Sequence, residues 1–271
     1  MTKKNKSAIQ RRLIPTYIFL IIVSFISVFP LYWMISAATN TSTDVSRGRI
    51  IPGSHFMENF NNLTAQQPLW RALGNSFFYA ILTTVICLLI CSIAGYGFEV
   101  YHDKGKDRLF SILLLAMMVP QVATMVPLFK MFSKAGLLNT AVGFILPIIS
   151  TPFMIMMFRQ NARSFPVDII EAARIDGLSE VRIFFQMFLP TMKSTYAAAA
   201  VITFMNAWNS YLWPKVIMTD NKAMTMPMLI ANLITGYVTD YGMLMCGVLF
   251  CSIPTMVVFF VLQKQFAEGI T

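Results

Sequence analysis

Six blocks of about twenty residues, at 13–36, 76–98, 109–129, 140–158, 196–213 and 242–262, are apolar almost throughout. At about 1.5 Å per helical residue, such a block can cross a hydrocarbon core roughly 30 Å thick. Inside lipid the backbone finds no water, so only helices and closed barrels satisfy its polar groups. The blocks lack the apolar–polar alternation of barrel strands and are predicted to be helices. The expected fold is therefore an all-α integral membrane protein of six transmembrane helices, a single transmembrane domain over residues 1–271. Composition agrees: charged residues make up 12% and hydrophobic ones 56%, against about 25% charged in a soluble domain. The first block outruns an ordinary signal core, holds Pro15, Pro30 and Trp33, and shows no clear small-x-small cleavage site. It reads as a membrane helix rather than a leader.

Lysine and arginine placement orients the bundle. The N-terminal tail, the loop after the second block and the long loop from Arg159 to Lys193 hold thirteen, and the alternate loops hold seven. By the positive-inside rule, both termini and the long loop are expected in the cytoplasm. The net charge of +9 is then mostly topology, and a nucleic-acid partner is not expected. Cys87, Cys91, Cys246 and Cys251 all fall within the blocks without a neighbouring histidine. They read as packing residues, with neither a metal site nor a disulfide implied.

Several functions are excluded by what is missing. The chain has no phosphate-cradling GxxxxGK[ST] loop, no HExxH and no GxSxG. It is not expected to be an enzyme or to hydrolyse ATP itself. The blocks are nearly free of ionisable residues, which ion-driven carriers use to move protons or cations. Six helices without a motor suggest half of a pore that draws its energy from a partner.

One segment breaks the apolar pattern. "EAARIDGLSEVRIFFQMFLP", residues 171–190, packs Glu171, Arg174, Asp176, Glu180 and Arg182 into twelve positions. Pro166 suits the first turn of a helix and Gly177 its left-handed cap. Ser179 can cap a second helix with Glu180 at its positive end. Val181, Phe184, Phe185 and Phe188 follow at i, i+3, i+4 and i+7, which predicts one apolar stripe. Such a cytoplasmic hairpin either rests on the bilayer surface or docks its charged tip on a soluble partner.

The segment resembles the "EAA" loop, EAA-x3-G-x9-I-x-L-P, of binding-protein-dependent ABC importer permeases. Glu171, Ala172, Ala173, Gly177, Leu189 and Pro190 match at the right spacing, and Met187 stands where isoleucine is usual. "PGSHFMENFNNL", "LGNSFFYA", "MMVPQVATMVPLFKMFSKAGLLNTAVGFILP", "FRQNARSFPVDIIEAARIDG", "FMNAWNSYLWP" and "LQKQFAEGIT" resemble the carbohydrate-uptake, maltose-type branch over almost the whole chain. Many relatives continue for a few residues beyond the position of Thr271.

The resemblance implies a type I ABC importer permease fold, with residues 159–193 as the cytoplasmic coupling loop. It implies that Glu171 pairs with a basic residue of the ATPase, that Ala172 and Ala173 allow close packing, and that Gly177 makes the turn. Asp176 belongs to the same tip, and Leu189 and Pro190 close the motif. The implied partners are a second homologous permease, two copies of a cytoplasmic ABC ATPase and an extracytoplasmic solute-binding protein. ATP and magnesium would sit on the ATPase, with no cofactor on this chain. The implied substrate is a carbohydrate of the oligosaccharide class, and the implied location is the bacterial plasma membrane. A stand-alone carrier or channel, or an importer of a non-sugar solute, is the alternative.

Sugars are commonly held by aromatic faces with amide and hydroxyl partners. Gln121 and Thr124, after Pro120, and Asn206, Trp208, Asn209 and Tyr211, with Trp213 beyond them, are candidates for a substrate path or gate. The same residue types also form interfacial aromatic belts and interhelical hydrogen bonds, and the sequence leaves both readings open. Pro120 and Pro127 should bend the third helix.

Overall fold

The computed structural model of the chain describes residues 3–101, 103–235 and 238–270. Thr271, where the closing stretch ends, lies outside them. All regular structure among the described residues is helical. The chain begins with α1 (Lys3–Ala38), α2 (Ser42–Ser46), α3 (Phe56–Gln66) and α4 (Leu69–Val100). Next come α5 (Lys104–Ala116), α6 (Gln121–Lys134), α7 (Ala141–Ile145), α8 (Pro152–Ala162) and α9 (Val167–Ile175). After α9 stand α10 (Glu180–Ile183), a π-helical turn (Phe184–Phe188) and α11 (Leu189–Thr191). The chain closes with α12 (Lys193–Trp208), α13 (Leu212–Ile217), α14 (Met226–Ile234) and α15 (Tyr241–Ile270).

Among the described residues, three stretches are individually long and apolar enough to cross a bilayer: Leu13–Ala38, Leu69–Val100 and Tyr241–Gln263. They contain the first, second and sixth predicted blocks. The remaining blocks are interrupted, and proline explains two of the breaks. In block 109–129, α5 and α6 meet at 100°. Met117, Met118 and Val119 close tight turns onto Leu114, Leu115 and Ala116, and Pro120 follows in extended conformation. Proline offers no N–H and pushes its predecessor out of the helical region, so the helix ends there. Pro127, by contrast, is held inside α6. Block 140–158 is split around Pro147, and α8 restarts where Thr151 accepts the Met154 N–H and Pro152 takes the first helical position. Block 196–213 ends its helix at Trp208, so α12 has 16 residues and a length of about 24 Å.

The described chain sorts into two compact units, residues 1–67 with 232–250 and residues 68–231 with 251–271. In the first unit, α1 exposes apolar side chains all round from Leu13 to Tyr32 and buries only its last turns from Met34 onward. A surface of this kind is stable only against hydrocarbon or another apolar chain. Beyond α1, buried amides knit the loop. Asn40 Nδ2 donates to the carbonyls of Ser36 and Ile51, both at 2.9 Å. Asn59 Nδ2 donates to those of Ala38 and Asn40, also at 2.9 Å.

In the second unit α4 packs along α8 and α12. The approach is closest at Gly95, where a Cβ would stand 2.6 Å from the Phe158 Cβ and 2.7 Å from the Arg159 nitrogen. Small residues let membrane helices meet backbone to backbone in this way. Gly95→Ala should therefore cost about 1–3 kcal/mol by overpacking. Gly97→Ala, with nothing within 4 Å of its Cβ, should leave stability unchanged or raise it. Thermal unfolding of the two variants in mild detergent checks the contrast.

Candidate functional site

The hairpin that carries the EAA pattern is built from α9, α10, the π-helical turn and α11. Pro166 precedes α9 as its cap. At the far end the Asp176 N–H reaches the Ala172 carbonyl and the Leu178 N–H the Ala173 carbonyl, both near 3 Å. Gly177 stands between them at φ +78°, a left-handed position that suits glycine. Ser179 occupies the cap position of α10, but its side chain makes no capping hydrogen bond. Glu180 is drawn instead toward Arg174, whose Nε lies 2.7 Å from Oε1, and it accepts a hydrogen bond from the Tyr101 hydroxyl.

The predicted stripe of Val181, Phe184, Phe185 and Phe188 is corrected by the structure. Ile183, Phe184 and Phe188 are buried, whereas Val181 and Phe185 are exposed. The cause is the π-helical turn, in which the Leu189 N–H bonds to the Phe184 carbonyl five residues back. Residues five apart, such as Ile183 and Phe188, then share a face. The turn runs up to Pro190, whose ring would clash with a carbonyl four residues back in a regular helix.

Ile170, Ala173, Ile183, Phe184 and Phe188 form one apolar cluster with Tyr96 of α4 and with Phe165 and Met192. Rings carry much of it: Tyr96 lies 4.8 Å from Phe188 and 5.4 Å from Phe184, centroid to centroid. The two alanines of the motif divide their surroundings. Ala173 is 1% exposed within this cluster, and Ala172 faces outward beside Glu171. Asp176 and Gly177 are also exposed, and Ile175, at 86% exposure, is the most prominent apolar side chain of the tip. Leu189 is half-buried and Pro190 exposed.

A cation absent from the sequence-level candidates fixes the base of the hairpin. Arg159, buried at the end of α8, places Nε 3.1 Å from Glu99 of α4 and an Nη 2.6 Å from Asp107 of α5. Its guanidinium also lies 4.3 Å over the Phe110 ring. Arg163 reaches Glu99 from the surface at 3.4 Å. In the sequence Arg159 counts only as one more cytoplasmic charge. Its position just after an apolar block, with two acids some 50–60 residues earlier, is a weak signal without the fold.

A second feature is a cavity of about 530 Å³ walled by α4, α6, α8, α12, α13 and the turns between them. Gln121, Asn206, Asn209, Tyr211 and Trp213 all line it. Thr124 does not; its hydroxyl donates to the Gln121 carbonyl within α6. Trp208 is buried elsewhere. Its ring lies 4.9 Å from Phe77 and its Nε1 donates to the Cys251 carbonyl at 3.0 Å. Sequence reasoning missed Thr83, Thr151 and Thr203, which also line the cavity, because a threonine inside an apolar block resembles packing.

Residues 92–271 match the family described as binding-protein-dependent transport system inner membrane component. The chain belongs to that family. The permease is 40% identical to the lactose transport system permease protein LacG of Rhizobium radiobacter, over 97% of each chain. It is 36% identical to the arabinooligosaccharides transport system permease protein AraQ of Halalkalibacterium halodurans, over 92% of this chain and 91% of that one. Among solved structures, a chain of a bacterial ABC transporter involved in the import of the acidic polysaccharide alginate gives a TM-score of 0.81. It covers 98% of the permease and 99% of its own length at 19% identity. The permease shares its all-helical importer fold.

Two outcomes follow for the hairpin. Arg159→Met should lower the unfolding temperature in detergent distinctly more than Arg163→Met, because only Arg159 is buried between two carboxylates. The second outcome concerns pH. Arg174 first, and then the Tyr101 hydroxyl, hold the Glu180 carboxyl below the usual carboxylate range. Its contribution is therefore present above the unfolded value of about 4.3 and lost as pH falls through the lower folded value. Hydrogen-exchange protection of the hairpin amides, corrected for intrinsic rates, should hold from neutral pH to about pH 5 and fall only below that range. Glu180→Gln should reduce it at neutral pH and remove the fall at low pH.

Proposed function

We propose that the chain is the membrane-spanning permease subunit of an ATP-driven ABC importer that translocates a carbohydrate of the oligosaccharide class. The observation that carries this reading is the hairpin, anchored through Tyr96, Ile183 and Phe188 on one side and presenting Glu171, Ala172, Ile175 and Asp176 on the other. An acidic rim around an exposed isoleucine suits docking on a soluble protein with a basic-rimmed apolar groove. The motor would be a cytoplasmic ATPase in two copies, which holds ATP and magnesium; this chain supplies no nucleotide motif of its own. A second homologous permease would complete the pore, and an extracytoplasmic binding protein would deliver the sugar. The names of the lactose and arabinooligosaccharide relatives support the carbohydrate assignment.

The membrane arrangement belongs to the same proposal. Six crossings would be made, with the bent α5–α6 pair as the third and α7–α8 as the fourth. Both termini and residues 159–193 would face the cytoplasm of a bacterial plasma membrane, as the lysine and arginine distribution favours. The rigid anchoring of the hairpin would let ATPase closure act on α4 and α8, the helices it is packed and salt-bridged to, and so drive alternating access.

Glu171→Ala should leave the protein in the membrane while weakening ATPase retention or uncoupling ATP hydrolysis from transport. Gly177→Pro should do so more severely, since proline cannot adopt φ +78° and also removes the Gly177 N–H bond to the Arg174 carbonyl. Co-purification of the ATPase and ATP-driven uptake measure both. Normal retention and normal uptake in both variants would return the hairpin to a surface-lying role.

A further inference from the structure

α5 lies against α4 and α8 without being embedded in them. None of its residues is buried, and its apolar hold on the cluster of Cys87, Cys91, Phe158 and Ala199 comes through Phe110 and Leu113. The Phe110 ring lies 5.4 Å from that of Phe98 on α4. Asp107, one turn before Phe110 on the same face, adds a polar contact: its Oδ1 accepts from an Nη of Arg159 at 2.6 Å. Beyond its last turn α5 meets α6 at the 100° break. α5 is thus an arm with a bend at one end and a charged fastening to α8 near the other.

The two acids that share Arg159 are not equivalent. Glu99 has a side chain 23% exposed and stands on α4, which is locked to α8 at Gly95, where an added carbon would collide. The Glu99–Arg159 pair therefore cannot open unless those two helices part. Asp107 has a side chain 51% exposed and stands on a helix without such a lock. If α5 drew away, the Asp107 carboxylate would return to water and the buried guanidinium would keep Glu99. Stripping a buried charge of its partner is costly, and the second acid removes that cost. Opening a partly exposed pair costs little. The bridge to Asp107 can thus be released and remade, whereas the bridge to Glu99 is fixed.

Arg159 stands in the last turn of α8, which leads into the hairpin. A displacement of the hairpin therefore reaches the Arg159 end of the fastening before the Asp107 end. On the far side of the bend, α6 carries Gln121 of the cavity wall, so a movement of the arm bears on that wall. We propose that Asp107 is a positioning residue of the transport cycle. It fastens α5 to α8 in the state seen here and lets it go when the hairpin is driven, while Glu99 keeps Arg159 paired throughout. The inference rests on the importer reading and deepens it by naming the contact through which the hairpin governs the α5–α6 arm.

The test uses the complete importer, purified with its partner subunits and placed in lipid nanodiscs. Spin labels on Ser111→Cys of α5 and Gln160→Cys of α8, both at exposed positions, report the separation of the two helices by electron paramagnetic resonance, read against the same labelling of the unsubstituted chain. The separation should change between the nucleotide-free and vanadate-trapped importer by an ångström-scale shift typical of such transitions. Asp107→Asn keeps shape and removes the charge, and should raise ATP hydrolysis in the absence of the binding protein about threefold or more. Asp107→Glu, which keeps the charge, should bring that rate back toward wild type. Glu99→Gln should lower the unfolding temperature more than Asp107→Asn does, because it weakens the fixed bridge. A separation that is the same in both nucleotide states, or a rate that Asp107→Asn leaves unchanged or lowers, would overturn the fastening. The spin-label measurement keeps Asp107 in place and so decides the matter even where the Asp107 variants do not assemble. Failure of the wild-type chain to retain an ATPase through purification counts instead against the importer reading itself.

Discussion

At Gly95 two helices lie so near each other that a single added carbon would collide with Phe158 and with the backbone of Arg159. Much of the second unit hangs on this contact. One residue further along α4, Tyr96 enters the apolar cluster under the hairpin. Three residues beyond that, Glu99 meets Arg159. Two to three turns back, Thr83 and Cys87 form part of the cavity wall together with Met154 of α8. A single helix pair thus defines the base of the hairpin at one end and the floor of the cavity at the other. Interiors packed to this density do not yield gradually, so a push on the hairpin, as the proposed coupling requires, would be passed along α4 and α8 as a displacement rather than absorbed.

The two ends of this pair use different physics. The hairpin end is held by aromatic burial and by a cation shared between two acids, interactions that tolerate a solvent-exposed rim. The cavity end is lined by uncharged groups, with the carboxamides of Gln121, Asn206 and Asn209 among them. Charge near the headgroups and neutrality at depth are what a bilayer favours, and both are set by where side chains fall along one 32-residue helix. The polar contents of the cavity are therefore expensive in a way that the charges of the hairpin are not.

How much of this was legible in the sequence depended on range. The turn at Gly177 is local, governed by the backbone preference of one residue, and it can be read directly, whereas helical structure runs through Pro190 to Thr191. The helical class was legible for a similar reason, since continuous apolar runs leave few alternatives in lipid. Pro120 and Pro127 were both visible as bends, but whether a proline bends a helix or ends it depends on what the freed carbonyls find, and Pro127 shows the milder outcome seven residues after Pro120. The stripe on the second hairpin helix misled because a period of 3.6 was assumed where the backbone pairs at i+5. The cavity was only partly legible. Gln121, Asn206, Asn209 and Tyr211 stand out as polar groups in apolar blocks, whereas Thr83 and Thr203 acquire meaning only when α4 and α12 are side by side. Arg159 was hidden by its own ordinariness among cytoplasmic cations.

The widened turn at 184–188 also bears on how such a hairpin can change over time. A π-helical turn holds one residue more than an α-helix needs to cover the same ground. Loss of that residue would let the segment relax to a regular helix with both ends still attached, one at the tip and one at Pro190. The two ends would keep nearly the same relative orientation, because the widened turn and the regular turn sweep almost the same angle, and only the side chains within the turn would be re-dealt between inside and outside. A lineage could thus alter the aromatic bed by a single-codon deletion while the exposed tip keeps its aim.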